Sequence, residues 1–209
     1  MSKIPAFLLI CLLTSPCLFG NEKSKILALG DSLTFGYGVE DQDSWPQLLA
    51  KRLNKTIVNG GTSGATTAFA MPTLKFHLKR YKPELVIYAL GANDALRGIS
   101  VEEIRKNMRE ALDFLKAKDV PVVMLGMKAP PNYGETFPKD FQKIYTDLAA
   151  EYKVPIYPFL LEGVAGEAKL NQSDGIHPNP EGYKVIANNL YKFMKDYYAK
   201  RNTGNIPAK

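Results

Sequence analysis

"ILALGDSLTFGYG", residues 26–38, runs an unbroken apolar segment straight into Gly30-Asp31-Ser32. Apolar residues that follow one another without alternation suit a strand covered on both faces, as in a parallel sheet. The stretch therefore reads as a buried strand, "KILAL" (25–29), ending in a polar loop. Gly30 is expected to relax the turn there and lift Ser32 to the edge of the sheet. Four more runs of the same kind follow: "TIVN" (56–59), "ELVIYAL" (84–90), "VPVVMLGM" (120–127) and "VPIYPF" (154–159).

Helical patterns separate these runs. "SWPQLLAKRLN" (44–54) opens on Ser44 as a cap, with Pro46 in the first turn. A second helix follows Thr66 and ends near Pro83. In "SVEEIRKNMREALDFLKAKD" (100–119), Ser100 and Glu103 form a capping box. Ile104, Met108, Leu112 and Leu115 then repeat as one buried stripe. "FPKDFQKIYTDLAAEYK" (137–153) and "NPEGYKVIANNLYKFMKDYY" (179–198) complete the series. Regular alternation of strand and helix predicts an α/β domain over residues 25–198: a five-stranded, mostly parallel sheet between two helical layers. Residues 199–209 are expected to form a flexible tail. In such an open sheet, ligands bind beyond the carboxyl ends of the strands.

Composition narrows the function. Of 209 residues, 45% are hydrophobic and 23% charged, enough for one domain with its own core. The net charge is +6, but the lysines are interspersed with acids, and "KFHLKRYK" (75–82) is the densest stretch. Diffuse charge without a nucleic-acid motif argues against nucleic acid as a partner. It leaves a weak attraction to anionic surfaces, hence transient contact with a membrane surface. The first twenty residues, "MSKIPAFLLICLLTSPCLFG", carry an apolar core from Ile4 to Leu13, too short to span a bilayer. They read as a secretory signal peptide cut near Gly20, and so as export to the periplasm or beyond. A lipid anchor on Cys17 is disfavoured by Pro16 just before it, and an uncleaved anchor is the other alternative. Cys11 and Cys17 both lie in this segment, so the remaining domain has neither a disulfide nor a thiolate nucleophile.

Polar features recur beside the expected strand ends. Gly30-Asp31-Ser32 follows the first run, "NGGTSG" (59–64) the second and "GAND" (91–94) the third, while "SDGIHP" (173–178) precedes the last helix. A serine hydroxyl needs a base to become a nucleophile. The chain has two histidines. His77 sits at the cationic end of a helix, where it reads as surface structure. His177 lies in a loop with Asp174 three residues before it, a spacing that can turn the carboxylate toward the imidazole. Asp174 could equally be a turn residue beside Gly175. Acyl transfer also needs oxyanion donors, which the N–H groups of Ser32 and Gly64 and the Asn93 amide can supply. Asp31 and Asp94 read as structural, tying the first and third loops together. No His, Cys and carboxylate cluster has metal-ligand spacing, so no cofactor is expected.

In this order, Ser32, Gly64, Asn93 and His177 resemble the SGNH hydrolases, or GDSL esterase/lipase family. "GDSLT" (30–34), "NGGTSG", "GAND" and "DGIH" (174–177) stand in for the family's four blocks. "SWPQLLAKRLN", "LRGIS", "PPNYG" and "DGIHPN" are similar to its periplasmic arylesterase, thioesterase I and lysophospholipase branch. "SGATT" (63–67) lacks the acid that many relatives carry there, and Ala92 stands where that branch often has glycine. The resemblance implies a flavodoxin-like three-layer fold and a serine esterase acting on small acyl esters, lipids or thioesters. Ser32 would be the nucleophile, His177 the base and Asp174 its orienting partner, in a monomer. Two alternatives stay open: a carbohydrate O-acetyl esterase and a non-catalytic binding module on the same scaffold. For a fatty-acyl substrate, Pro130, Pro131, Tyr133, Phe137 and residues 159–170 are expected to supply apolar walls.

Overall fold

The computed structural model describes residues 25–203. The segment expected to be a signal peptide lies outside them. Five parallel strands form one sheet: β1 (Lys25–Gly30), β2 (Thr56–Gly61), β3 (Leu85–Ala89), β4 (Val122–Leu125) and β5 (Ile156–Tyr157), in the order β2-β1-β3-β4-β5. β3 and β4 are buried at every position, as their unbroken apolar sequences require. β2 is an edge strand, so its Thr56 is exposed and Val58 and Asn59 are only half-buried. β5 is shorter than its apolar run. Pro155 and Pro158 flank its two paired residues, and a proline has no N–H to give to a ladder.

Among the described residues, seven α-helices connect and cover the strands: α1 (Ser32–Phe35), α2 (Trp45–Leu53), α3 (Ala70–Tyr81), α4 (Ala92–Leu96), α5 (Val101–Ala117), α6 (Thr136–Tyr152) and α7 (Pro180–Asn202). Because crossovers between parallel strands are right-handed, reversing direction after β2 sends α3, α5 and α6 to the face opposite α2. The packing agrees: α2 lies against α7, α3 against α5, and α5 against α6. The helix stripe of Ile104, Met108, Leu112 and Leu115 is fully buried, as are Trp45 and Leu49 on the other face. Ser100 Oγ accepts the N–H of Glu103, as a cap should. Ser44 stands at the N-cap of α2 but turns its hydroxyl back to the carbonyl of Asp41. α7 continues to Asn202, four residues into the stretch expected as a tail, because Met194 and Tyr197 keep its face buried.

Two short helices, α1 and α4, have no counterpart in the sequence reading, being only four and five residues long. Each begins within three residues of a strand end, β1 for α1 and β3 for α4. β1 and β3 are neighbours, and the chain reverses its direction of travel through the sheet between them. That crevice is where this architecture places ligands.

Candidate active site

Gly30 ends β1 in extended backbone rather than in a turn. A Cβ there would lie 2.0 Å from Thr34 Oγ1 and 3.0 Å from the carbonyl of Ala89. Glycine is needed because α1 folds back onto the strand end, which corrects the expectation that Gly30 relaxes the turn. Asp31 caps α1, accepting the N–H of Leu33 at 2.9 Å. Ser32 is therefore the first residue of a helix. Its N–H is among those a helix leaves unpaired, and it has no partner among the described residues.

The loop before α7 carries His177 to this serine. Asn171 and Pro178 bridge in antiparallel fashion, and Gln172 N–H donates to the His177 carbonyl at 2.8 Å. His177 Nε2 lies 2.9 Å from Ser32 Oγ, across 145 positions of sequence. His177 Nδ1 lies 2.7 Å from Asp174 Oδ2. The other oxygen, Asp174 Oδ1, accepts the backbone N–H groups of Ile176 and His177 at 2.9 and 3.0 Å. Asp174 thus accepts from the turn backbone with one oxygen and lies against the His177 ring with the other. Three hydrogen bonds to its charged form bring its pKa down to about 2, the backbone and ring of His177 contributing most.

The second and third polar loops face the same serine. Ala65 N–H closes a turn onto the Thr62 carbonyl at 3.0 Å, and Gly64 within it has φ +76°. That left-handed backbone is costly for any residue with a Cβ. The Gly64 N–H has no partner among the described residues. Asn93 opens toward the same space, with one amide hydrogen donated to the Ala65 carbonyl at 2.9 Å. An amide nitrogen carries two hydrogens, so the second is left for a ligand. A cavity of about 200 Å³ is lined by Ser32, Gly64, Asn93 and His177 and walled by Leu33, Tyr37, Ala92, Leu96 and Ile176.

The two buried aspartates differ from expectation. Asp94 ties the third loop to the second rather than to the first, accepting Thr67 N–H at 2.9 Å and Thr67 Oγ1 at 2.6 Å. Asp31 is spent on its own helix. Its Oδ2 is buried without a hydrogen-bond partner among the described residues, and burial pushes its pKa up to about 7. His77, in α3, stacks on Tyr81 and stands apart from the cavity lining. The expected walls shift as well. Tyr133 donates its hydroxyl to the Leu96 carbonyl and so braces α4, while Leu160 and Val164 are buried in the core. Sequence reasoning missed Tyr37, whose ring packs 4.6 Å from that of His177, and Gln172, whose amide donates to the carbonyls of Tyr37 and Pro178. The signal for Tyr37 was its place five residues after Ser32, an aromatic residue in a Gly-rich loop. Among the described residues, no three His, Cys, Asp or Glu side chains come together as metal ligands would.

Comparison with known proteins places the whole chain. The profile of the GDSL-like lipase/acylhydrolase family matches residues 28–185. The chain belongs to that family. It is 38% identical to an arylesterase of Vibrio mimicus over 80% of this chain and 86% of the relative. It is 36% identical to thioesterase 1/protease 1/lysophospholipase L1 of Escherichia coli K12, over 90% of each. The crystal structure of TesA superposes with a TM-score of 0.79 at 34% identity, covering 83% of this chain and 99% of that one. This GDSL-like acylhydrolase therefore has the SGNH-hydrolase fold and is a carboxylic ester hydrolase.

Proposed function

We propose that the enzyme hydrolyses esters and thioesters through an acyl-enzyme on Ser32. The observation that carries this reading is the chain of contacts Ser32 Oγ to His177 Nε2 to Asp174 at 2.9 and 2.7 Å, opening on one small cavity. Ser32 Oγ attacks the substrate carbonyl while His177 Nε2 takes its proton. Asp174 holds the His177 Nδ1–H tautomer and stabilises the imidazolium. The oxyanion lies among the N–H groups of Ser32 and Gly64 and the free amide hydrogen of Asn93. The carbonyl re-forms, the C–O or C–S bond breaks, and His177 protonates the leaving alkoxide or thiolate. A water then attacks the acyl carbonyl, giving its proton to His177, and Ser32 leaves with that proton.

The cavity sets the acyl preference. Its volume is below the 300–1,000 Å³ of pockets that enclose a drug-sized ligand. It takes a short or medium acyl chain, and longer chains must lie over the exposed Tyr37, Leu96 and Ile176 at its mouth. These apolar walls favour a fatty acyl group over an acetylated sugar. Export follows from the reading of residues 1–20, and sequencing the N-terminus of the mature protein, expected near residue 21, checks it. Among the described residues, no helix is long and apolar enough to cross a membrane.

The deciding experiment is Ser32→Ala with a fluorophosphonate label and p-nitrophenyl esters. Labelling and hydrolysis should both vanish, and persistence of either overturns the mechanism. A chain-length series of oxygen esters and thioesters, from acetyl to palmitoyl, should peak at the short-to-medium end.

A further inference from the structure

The loop that carries Gly64 is held from behind by one face of the third loop. Asn93, Asp94 and Arg97 are successive anchors on and just after α4: Asn93 bonds the Ala65 carbonyl, Asp94 bonds Thr67, and Arg97 Nη2 donates to the Gly64 carbonyl at 3.0 Å. Asp94 is buried, and Asn107 adds a bond to Thr67 Oγ1, so the far end of the segment is doubly fixed. The near end is different. Gly64 sits at φ +76° with an open flank, and, its chain neighbours aside, the only atom among the described residues within 4 Å of its missing Cβ is Arg97 Nη2. Glycine gains no rigidity from a side chain and readily leaves such a conformation. The Arg97 guanidinium lies outside the cavity lining, so it acts on the site through Gly64. It holds the carbonyl of the Gly64–Ala65 peptide, whose N–H is bound to the Thr62 carbonyl at 3.0 Å, and so restrains the φ and ψ of Gly64 that set where its own N–H points beside Ser32.

We propose that Arg97 is a positioning residue that keeps the Gly64 N–H aimed at the oxyanion. This rests on the proposed role of Gly64 as an oxyanion donor. A donor aimed in advance stabilises charge that develops only in the transition state, so its loss should appear in turnover rather than in substrate binding. Arginine suits the task because a charged, planar donor makes a stronger and better directed hydrogen bond to a carbonyl than a neutral one.

The test compares wild type, Arg97→Met and Arg97→Lys with p-nitrophenyl butyrate and with a boronic acid, whose tetrahedral serine adduct carries the oxyanion. Arg97→Met should lower kcat about 10-fold with KM within 2-fold, and weaken the boronic acid by a similar factor. Arg97→Lys should recover part of both. The melting temperature of Arg97→Met should stay within about 3 °C of wild type, since the side chain is exposed. Unchanged kcat and unchanged boronate affinity in a folded Arg97→Met overturn the proposal, as does a fall in kcat matched by a rise in KM with boronate affinity unaltered. Ser32→Ala run alongside separates the two levels. Should it remain active, the nucleophile reading fails. Should it be inactive while Arg97→Met matches wild type, only the role of Arg97 fails.

Discussion

Asp174 grips His177 with both carboxylate oxygens, one on the ring Nδ1 at 2.7 Å and one on the backbone N–H at 3.0 Å. Only Gly175 and Ile176 separate the pair, in a loop that also pins the His177 carbonyl to Gln172. The imidazole is thereby fixed at its root and at its ring, and Tyr37 packs against its face. A base held this way needs no rearrangement before it meets Ser32.

Asp174→Asn tests that grip. The asparagine carbonyl can still accept the two backbone N–H groups, but its NH2 would meet Nδ1 as a donor. The imidazole must then carry its hydrogen on Nε2, where it cannot accept the Ser32 proton. Turnover should fall about 10³- to 10⁴-fold with KM little changed, in steady-state assays on p-nitrophenyl esters.

The same carboxylate gives a pH signature in stability. Its folded pKa of about 2 lies below the unfolded value near 3.8, so the folded state favours the charged form. The stabilisation is fully present above about pH 4 and disappears as pH falls through about 2. Urea unfolding of wild type and Asp174→Asn should show a gap at pH 6 that narrows between pH 4 and 2. A gap independent of pH would contradict the assignment.

Asp31 behaves in the opposite sense. Burial raises its folded pKa to about 7, above the unfolded value, so the folded state binds more protons between pH 4 and 7 and loses stability as pH rises. Asp31→Asn keeps an oxygen for the Leu33 N–H and removes the buried charge. Relative to wild type, the variant should gain a few kcal/mol from pH 4 to 7 and no more above that, each pKa unit being worth about 1.4 kcal/mol. Denaturant titrations at pH 4, 5.5, 7 and 8 measure it.

Asn93→Ala removes one proposed oxyanion donor and its bond to Ala65. Roughly a hundredfold loss of turnover is expected, about 3 kcal/mol of transition-state stabilisation, with the circular dichroism spectrum unchanged. Loss of folded structure instead would show that the amide acts mainly as a brace.

Asp94→Ala should be worse for the fold than for any single chemical step. It leaves Thr67 N–H and Oγ1 without their buried acceptor. We expect a loss of about 2–4 kcal/mol in unfolding free energy, with reduced turnover as the second loop slackens. An Asp94→Ala protein as stable as wild type would refute the tie between the second and third loops.

Much of this protein is written locally. Continuous apolar runs fix β1, β3 and β4 because a strand covered on both faces must be apolar on both. The buried stripe of α5 and its Ser100 cap follow from helical spacing alone. The four polar blocks, and with them Ser32, Gly64, Asn93, Asp174 and His177, stand out because each breaks an apolar run or precedes a helix. Tertiary structure decided what those patterns leave open. Gly30 is a glycine because Thr34 folds onto it, and Asp94 chooses Thr67, not Asp31's loop, because α4 packs beside the end of β2's connection. The cavity walls are Leu33, Tyr37, Leu96 and Ile176 rather than the apolar residues of 159–170, which the core claims first. Arg97 stood out only as part of "LRGIS" and with no role of its own, since an exposed arginine after a short helix looks like any other until its guanidinium is seen on the Gly64 carbonyl. Local sequence sets which residues can form strands, helices and reactive groups, through backbone sterics and burial. Which of them meet depends on contacts across 27 to 145 positions, and only the packed sheet brings those ends together.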